Sequence, residues 1–467
     1  MKLLYKKRSY EINMTEGPMV PQILKFAIPL MFSSMLQLLF NSADMIVVGQ
    51  FAGSGALAAV GSTTALINLI INIFVGLSVG SNVVIANHYG AGRYKDVRES
   101  VHTAIAISLA GGVMLAVIGI AAAVPMLRLM GTPDEVITDA ALYMRIYFLG
   151  MPVIMLYNFG SAIFRAIGDT RRPLLFLSAA GLVNIALNLV FVILFDMGVA
   201  GVAWATIISQ CLSSGLIVLS LCHSEGCFKL RLKKIRLHKD KFIEIMKIGI
   251  PSGLQGVMFS ISNVLLQASV NSLGKVAMAG CAADTNIEHF VYFAMNAFHH
   301  TVISFTAQNY GAMKYSRMKR AFLLCLGLEI AVGLAAGWGV YLLGDKVVSI
   351  FNKEPEVIEY ALQRMSVVAT TYFLCGMQEI GVGYLRGIGE SLSPMLVSFI
   401  CICGVRIAWI YTVFPAHRNL TALFTSYPLS WLVAFVGLMI IKMRADRKLG
   451  IAGKNKLQDG ESLQIQQ

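Results

Sequence analysis

Asp44 is the residue whose chemistry most needs a reason. It follows Ser34, Gln37 and Asn41 at spacings of 3, 4 and 3, which put all four on one helical face. Its surroundings are apolar, with Phe26-Ala27-Ile28-Pro29-Leu30-Met31-Phe32 upstream and Met45-Ile46-Val47-Val48 downstream. A central Asp in a membrane helix costs roughly 2.5–3.5 kcal/mol on insertion scales, so such an acid faces a bundle interior or water and marks an ion or substrate path. Two more polar pairs, Asn184 with Asn188 and Thr206 with Gln210, are each four residues apart and share a face. At about 1.5 Å per residue, Asn188 lies about 22 Å from Pro173 and Asp44 about 28 Å from Lys25, less if Pro29 kinks the helix. Thr206, measured from the other end near Gly198, falls about 18 Å into a core about 30 Å thick. One carboxylate among neutral oxygens at similar depth suits Na+ or a proton.

The chain that must position these residues has 467 of them, 57% hydrophobic and only 13% charged, with a mean hydropathy of +0.70. Soluble domains carry about 25% charged residues, so this is a membrane chain, and the bilayer is its first partner. The net charge of +13 does not indicate nucleic acid, because the cations sit between hydrophobic runs. Eight cysteines show no Cys-x-x-Cys pair and mostly lie in apolar runs, which excludes a disulfide framework or a zinc site. No nucleotide-binding loop and no catalytic nucleophile constellation is visible, so neither an enzyme nor an ATP-driven pump is expected, and no cofactor beyond a coupling ion. The basic N-terminus leads into a full-length span without a signal-peptide cleavage site.

Apolar runs fall at roughly 20–48, 55–86, 101–126, 140–164, 173–195, 198–221, 242–271, 276–306, 320–343, 357–385, 394–414 and 421–442. Alternate loops are basic: Lys6, Lys7 and Arg8; Arg93, Lys95 and Arg98; Arg171 and Arg172; the segment Lys229 to Lys241; Lys314 to Arg320; and Lys442 to Lys448. The positive-inside rule places both termini in the cytoplasm of a multi-pass plasma-membrane protein.

The halves repeat. Lys25-Phe26-Ala27-Ile28-Pro29 matches Lys247-Ile248-Gly249-Ile250-Pro251, an offset of 251 − 29 = 222. Tyr89-Gly90-Ala91 matches Tyr310-Gly311-Ala312, and Arg165-Ala166-Ile167-Gly168-Asp169 matches Arg386-Gly387-Ile388-Gly389-Glu390, both at 221. The expected organisation is an all-α integral membrane protein with twelve transmembrane helices in two pseudo-symmetric six-helix bundles. These span 1–222 and 242–445, joined by a basic cytoplasmic linker at 223–241 and followed by a cytoplasmic tail at 446–467. Such a duplication points to a transporter that rocks one bundle against the other about a central cleft.

The second half breaks the symmetry. Position 44 corresponds to Leu266, and position 184 to Arg406 (184 + 222), in the middle of a span. Arg406 reads as a fixed cation paired with Glu379 or Glu288, both about 10 Å from the inner face against about 18 Å for Arg406. Gln37, Asn41, Gln255, Asn263, Glu288 and Glu379 are candidates to line a substrate cleft, with Gln267, Asn271, Asn68 and Asn72 on similar polar faces. His289, His299 and His300 can titrate, though local packing accounts for them as well. The 24 Met and 25 Phe suit an adaptable cavity for flat cations and are equally ordinary in membrane helices.

The Asp-bearing first helix, the Tyr-Gly-Ala loops and the Arg-x-x-Gly-[Asp/Glu] loops, in this order and duplicated, resemble the multidrug and toxic compound extrusion (MATE) family over roughly 20–445. The resemblance implies that Asp44, Asn184, Asn188 and Thr206 form a cation or proton site in the N-terminal bundle. The chain departs from many relatives at Asn188, where they carry Asp, leaving the site one formal charge instead of two. The resulting reading is a monomeric secondary antiporter. It exports cationic amphipathic drugs or toxic metabolites in exchange for Na+ or H+. A lipid-linked precursor flippase of the same superfamily is the alternative, kept open by mid-membrane Arg406; a non-transport receptor or scaffold needs neither the acid nor the repeat.

Overall fold

The computed structural model describes residues 10–450, so Lys6, Lys7, Arg8 and the tail beyond Gly450 lie outside the described residues, as does the side chain of Asn68. The described chain is helical, with no strand. Its first half comprises α1 (Met19–Val47), α2 (Gly53–Gly90), α3 (Tyr94–Leu129), α4 (Asp134–Leu149), α5 (Met151–Ala166), α6 (Arg171–Leu189) and α7 (Gly198–His223). The second comprises α8 (Lys239–Asn271), α9 (Lys275–Gly311), α10 (Tyr315–Leu342), short α11 (Gly344–Val348), α12 (Pro355–Gly387), α13 (Leu392–Val397), α14 (Val405–Thr412), α15 (Leu420–Phe424) and α16 (Ser426–Lys448). Three π-helical stretches interrupt the regular winding, at Val48–Ala52, Val190–Leu194 and Ser398–Gly404.

Among the described residues nine helical stretches are long and apolar enough to cross a membrane. A tenth span is made by α4 and α5, bent by 49° at Gly150. Helices α9 and α12, 37 and 33 residues long, complete the twelve. They are too polar to pass on composition because they carry Asp284, Glu288, Arg364 and Glu379. Outward faces are apolar. On α3, Leu109, Val113, Met114, Val117 and Ile118 are 37–64% exposed along one stripe, as a lipid-facing surface requires.

By its internal contacts the chain divides between Val257 and Met258, inside α8, and not at the 223–241 linker. The physical cause is a pair of small-xxx-small seams. Gly76 and Gly80 on α2 face Gly253 and Gly249 on α8, and a Cβ on any of them would collide with the opposing backbone. Helices without side chains at the crossing approach closely and gain backbone van der Waals contact. The start of α8 therefore belongs to the first unit. The linker is held there too: Phe228 and Leu230 are buried, Arg231 N donates to His102 Nε2 at 3.2 Å, and Lys241 pairs with Asp96 at 3.0 Å.

The repeated loop motif has a structural meaning in each unit. Gly168 and Gly389 both adopt positive φ, 92° and 87°, the left-handed conformation that lets a helix end abruptly. Asp169 Oδ1 then accepts the N–H groups of Arg171 and Arg172 at 3.0 and 3.1 Å, capping the start of α6, while Oδ2 pairs with Arg172 at 3.1 Å. Burial pushes the Asp169 carboxyl above its ordinary range, and Arg172 and the backbone donors pull it back.

In the second unit, Leu266, Val270, Val368, Tyr372, Phe414, Phe424 and Trp431 form the main core cluster. Leu266, the counterpart of Asp44, is thus an apolar core residue at 2% exposure. Helix α9 lies close along α12, with Gly280 against Tyr360, Gly383 against Val302 and Gly387 against Thr306.

Candidate functional site

In the first unit α1 and α6 cross where Gly181 leaves room for the ring of Phe40. One turn beyond Phe40 lies Asp44, and two turns beyond Gly181 lies Asn188. Asn188 Nδ2 donates to Asp44 Oδ1 and also approaches Asn184 Oδ1 at 3.4 Å. From α7, Thr206 comes within hydrogen-bonding reach of the Asp44 carboxyl while its hydroxyl donates to the Val202 carbonyl at 3.0 Å. All four residues singled out by spacing and resemblance therefore meet around one carboxylate. The π-helical stretches of α1 and α6 begin four residues after Asp44 and two after Asn188. Such bulges widen the backbone and often accompany functional positions.

Asn184 and Asn188 are buried, whereas Asp44 and Thr206 keep some exposure. The Asn188 amide oxygen is buried and has no hydrogen-bond partner. The amide is fixed in this sense because the reverse would set its oxygen against the Asp44 carboxylate. A carboxylate with amide oxygens on the adjoining turns, one of them without a partner, is a donor set suited to a small monovalent cation. Among the described residues no group of three or more His, Cys, Asp or Glu gathers to hold a metal ion, so the chemistry here is that of a single acid with neutral oxygens.

The sequence reading missed Tyr143 and Tyr147. They sit one turn apart on α4 with ring centroids 6.1 Å from each other, close enough to Asp44 to feel its charge. Their i, i+4 spacing was visible. What it lacked was any sign that α4 packs beside α1's polar face.

The six cleft candidates do not form one group. Gln37 and Asn41 are exposed on α1, Asn263 is exposed on α8, and Gln255 is buried. Glu288 and Glu379 are both engaged, but not by Arg406. Glu288 Oε2 accepts from Arg364 at 2.6 Å, and Arg364 also binds Asp284 and lies 4.7 Å over the Phe424 ring. Glu379 pairs with His299 Nδ1 at 3.2 Å and accepts from Gln378.

Arg406 corrects the sequence expectation. Its guanidinium stacks on Tyr427, 3.8 Å from the ring centroid, with Trp431 at 5.8 Å, and Nε donates to Ser430 at 3.2 Å. Among the described residues no carboxylate forms an ion pair with it. Depth along a span put the acids in reach. The helical face decided otherwise, because α9 and α12 turn those acids toward Arg364 and His299. The missed acid partner was Asp284, one turn before Glu288 on α9, and the missed cation was Arg364. The i, i+4 pair of acids was the available signal.

Comparison with known proteins agrees with this geometry. The family model MatE matches residues 29–190 and again 251–412, the second match starting 222 residues after the first (251 − 29). The chain is 27% identical over 419 residues to the probable multidrug resistance protein YoeA of Bacillus subtilis, covering 88% of this chain and 90% of that one. It is 26% identical over 399 residues to the probable multidrug resistance protein NorM of Thermotoga maritima, with 83% and 84% covered. The multidrug export protein MepA of Staphylococcus aureus is 22% identical over 440 residues, with 92% and 95% covered. A crystal structure of MATE in a bent conformation superposes with a TM-score of 0.88 at 23% identity, covering 96% and 99% of the two chains. An outward-facing MATE transporter gives 0.87, with 94% and 98% covered. With two matched repeats, twelve helical spans and a shared fold, the chain belongs to the MATE family of multi-pass membrane transporters and is not an enzyme.

Proposed function

We propose that this transporter exports cationic amphipathic compounds across the plasma membrane in exchange for Na+ bound at Asp44, Asn184, Asn188 and Thr206. The observation that carries the reading is the buried, unpartnered oxygen of the Asn188 amide, whose nitrogen is bonded to the Asp44 carboxylate. A proton needs only the carboxylate, whereas Na+ uses the neutral oxygens to replace part of its hydration shell. With Asn at 188 the site has one charge, and one Na+ leaves it neutral. The similarity to YoeA, NorM and MepA, each named a multidrug protein, supports drugs as the substrate class. The repeat supports alternation by rocking of the two bundles, with the termini cytoplasmic by the charge of the loops.

Exchange of one monovalent drug for one Na+ moves no net charge. A tenfold Na+ gradient then sustains about 1.4 kcal/mol, a tenfold drug gradient. Arg406, the residue that kept a flippase open, is buried, stacked on Tyr427 and bonded to Ser430, which favours drug export over a pyrophosphate-bearing substrate.

The test is ethidium efflux from cells at fixed pH with Na+ replaced by choline, followed by a pH jump without Na+. Loss of export in choline is expected. Export that ignores Na+ and follows the pH jump would make Asp44 a proton site. Asp44→Asn is expected to abolish Na+-driven export without loss of folded protein.

A further inference from the structure

The second unit holds a carboxylic acid that the Asp44 site does not use. Glu329, at the middle of α10, is 1% exposed. Its Oε2 has no hydrogen-bond partner, and among the described residues it forms no ion pair. Its side chain is accommodated by an absence on the facing helix: a Cβ on Gly376 of α12 would overlap Glu329 Oε1 and Cγ, and also Met295 Cε. The carboxyl occupies the space that a side chain at 376 would take.

Glu379 lies three residues after Gly376, on the same side of α12, and its charge reaches Glu329. Unlike Glu329 it is partly open, with its side chain 17% exposed. A short polar chain runs through it. Arg386 Nη1 approaches His299 Nε2 at 3.4 Å, His299 Nδ1 donates to the Glu379 carbonyl at 2.8 Å and faces Glu379 Oε2 at 3.2 Å, and Gln378 donates to Glu379 Oε1. With Arg386 donating to Nε2, the His299 proton sits on Nδ1 and the ring is neutral. The other titratable or charged groups facing this cluster are Cys325 on α10, Cys375 on α12, Tyr292 and His300 on α9, and Arg406 on α14.

Two carboxylates close enough to feel each other's charge in a dry helix interface do not both ionise without a cation to balance them. Glu379 has the hydrogen-bond donors that stabilise a carboxylate, and Glu329 has none. The proton therefore resides on Glu329. In a membrane span an acid without a structural partner marks an ion path by default. A leucine would fill the same space at lower cost.

We propose that Glu329 is a second exchangeable ion site, a proton carrier in the C-terminal unit, with the partly exposed Glu379 carboxylate as its route to water. On discharge the O–H bond of Glu329 breaks, the proton passes by way of Glu379 to water, and the second negative charge left on the acid pair is balanced by the bound cationic drug. Recharging reverses each step. The inference rests on the export reading above and extends it. One Na+ at Asp44 and one proton at Glu329 are two coupling charges per monovalent drug, so the membrane potential would add about 2.3 kcal/mol per 100 mV.

The experiment uses the full-length purified protein and ethidium as the probe. Infrared difference spectra, ethidium-bound minus free, are recorded in H2O and D2O for the wild type, Asp44→Asn, Glu329→Gln and Glu329→Asp. A protonated carboxyl has a carbonyl stretch that shifts in D2O, which a histidine lacks. The expected result is loss of such a band on adding ethidium in the wild type and in Asp44→Asn, its absence in Glu329→Gln, and its displacement in Glu329→Asp. In liposomes, Glu329→Gln should lose the response of ethidium efflux to an imposed pH gradient.

A band that does not respond to ethidium, or one that survives unmoved in both Glu329 variants, overturns the proposal and makes Glu329 a permanently protonated packing group. If Glu329→Gln does not fold, the Glu329→Asp displacement and the Asp44→Asn spectrum decide alone. Absence of any ethidium export by the wild type would instead sink the export reading and is read separately.

Discussion

The side-chain amide of Asn188 donates to the carboxylate of Asp44 across the contact between α6 and α1. The residues are 144 apart in sequence, and the bond faces the donor end of the amide to the acid, leaving its oxygen free. That one orientation ties the charge state of Asp44 to a neutral oxygen available to a cation. It also explains why an amide and a second acid at position 188 would differ in kind, since a second acid has no N–H to offer.

Asn188→Leu should weaken Na+ activation of efflux by roughly tenfold to hundredfold, because a hydrogen bond to a charged group contributes about 1.5–3 kcal/mol. Asn188→Asp should change the coupling instead. Two carboxylates at hydrogen-bond distance share one proton, so export should become less dependent on Na+ and more dependent on pH. A sodium titration of ethidium efflux at two pH values checks both. An Asn188→Asp protein with unaltered sodium and pH response would contradict the geometry.

Gly181 is expected to set the spacing that allows this bond. A valine there would drive a methyl group into the Phe40 ring, and overpacking of this kind costs about 1–3 kcal/mol. Gly181→Val should lower thermal stability and Na+ affinity together. Adding Phe40→Ala should recover part of both, since the two residues touch and their effects are coupled. Additive losses in the double variant would show that the crossing does not depend on this contact.

Arg364 and Arg406, both buried in the second unit, should respond differently to removal. Arg364→Met leaves Asp284 and Glu288 without their cation and should cost about 3–5 kcal/mol. Glu288→Gln should cost less, because the Arg364–Asp284 pair survives. Arg406→Met forfeits stacking on Tyr427, worth about 0.5–2 kcal/mol. Glu379→Gln should leave Arg406 undisturbed. Thermal unfolding followed by tryptophan fluorescence orders the four variants; a Glu379→Gln loss that vanishes in an Arg406→Met background would restore the pairing this structure rejects.

Met313 should be a site of easy stabilisation. Its φ is +56°, and its counterpart one repeat earlier (313 − 221 = 92) is Gly92, at +68°. A side chain in the left-handed region costs roughly 1–2 kcal/mol, and Met313 is 74% exposed, so little packing is lost on removing it. Met313→Gly should raise stability by about 1 kcal/mol. An unchanged or lower melting temperature would show that the loop carries no strain.

The twelve spans, the repeat and the polar face around Asp44 were legible in the amino-acid sequence. These are properties of local pattern: a long apolar run must be helical in lipid, since every backbone group has to be satisfied within the segment, and spacings of three and four residues fix which side chains share a face. Counting along the helices also placed Asn184, Asn188 and Thr206 at about the depth of Asp44. Tertiary structure alone decided which faces meet. Glu288 and Glu379 were within reach of Arg406 by depth, but the rotation of α9 and α12 turned them to Arg364 and His299. The division inside α8 arose in the same way, from glycine seams at Gly76, Gly80, Gly249 and Gly253 that only a neighbouring helix gives a meaning. Glu329 looked like one polar residue in an apolar span until packing set it against Gly376. Depth is additive along one helix and can be counted from the sequence. Azimuth between helices depends on the shapes of both surfaces together, and no single segment contains it.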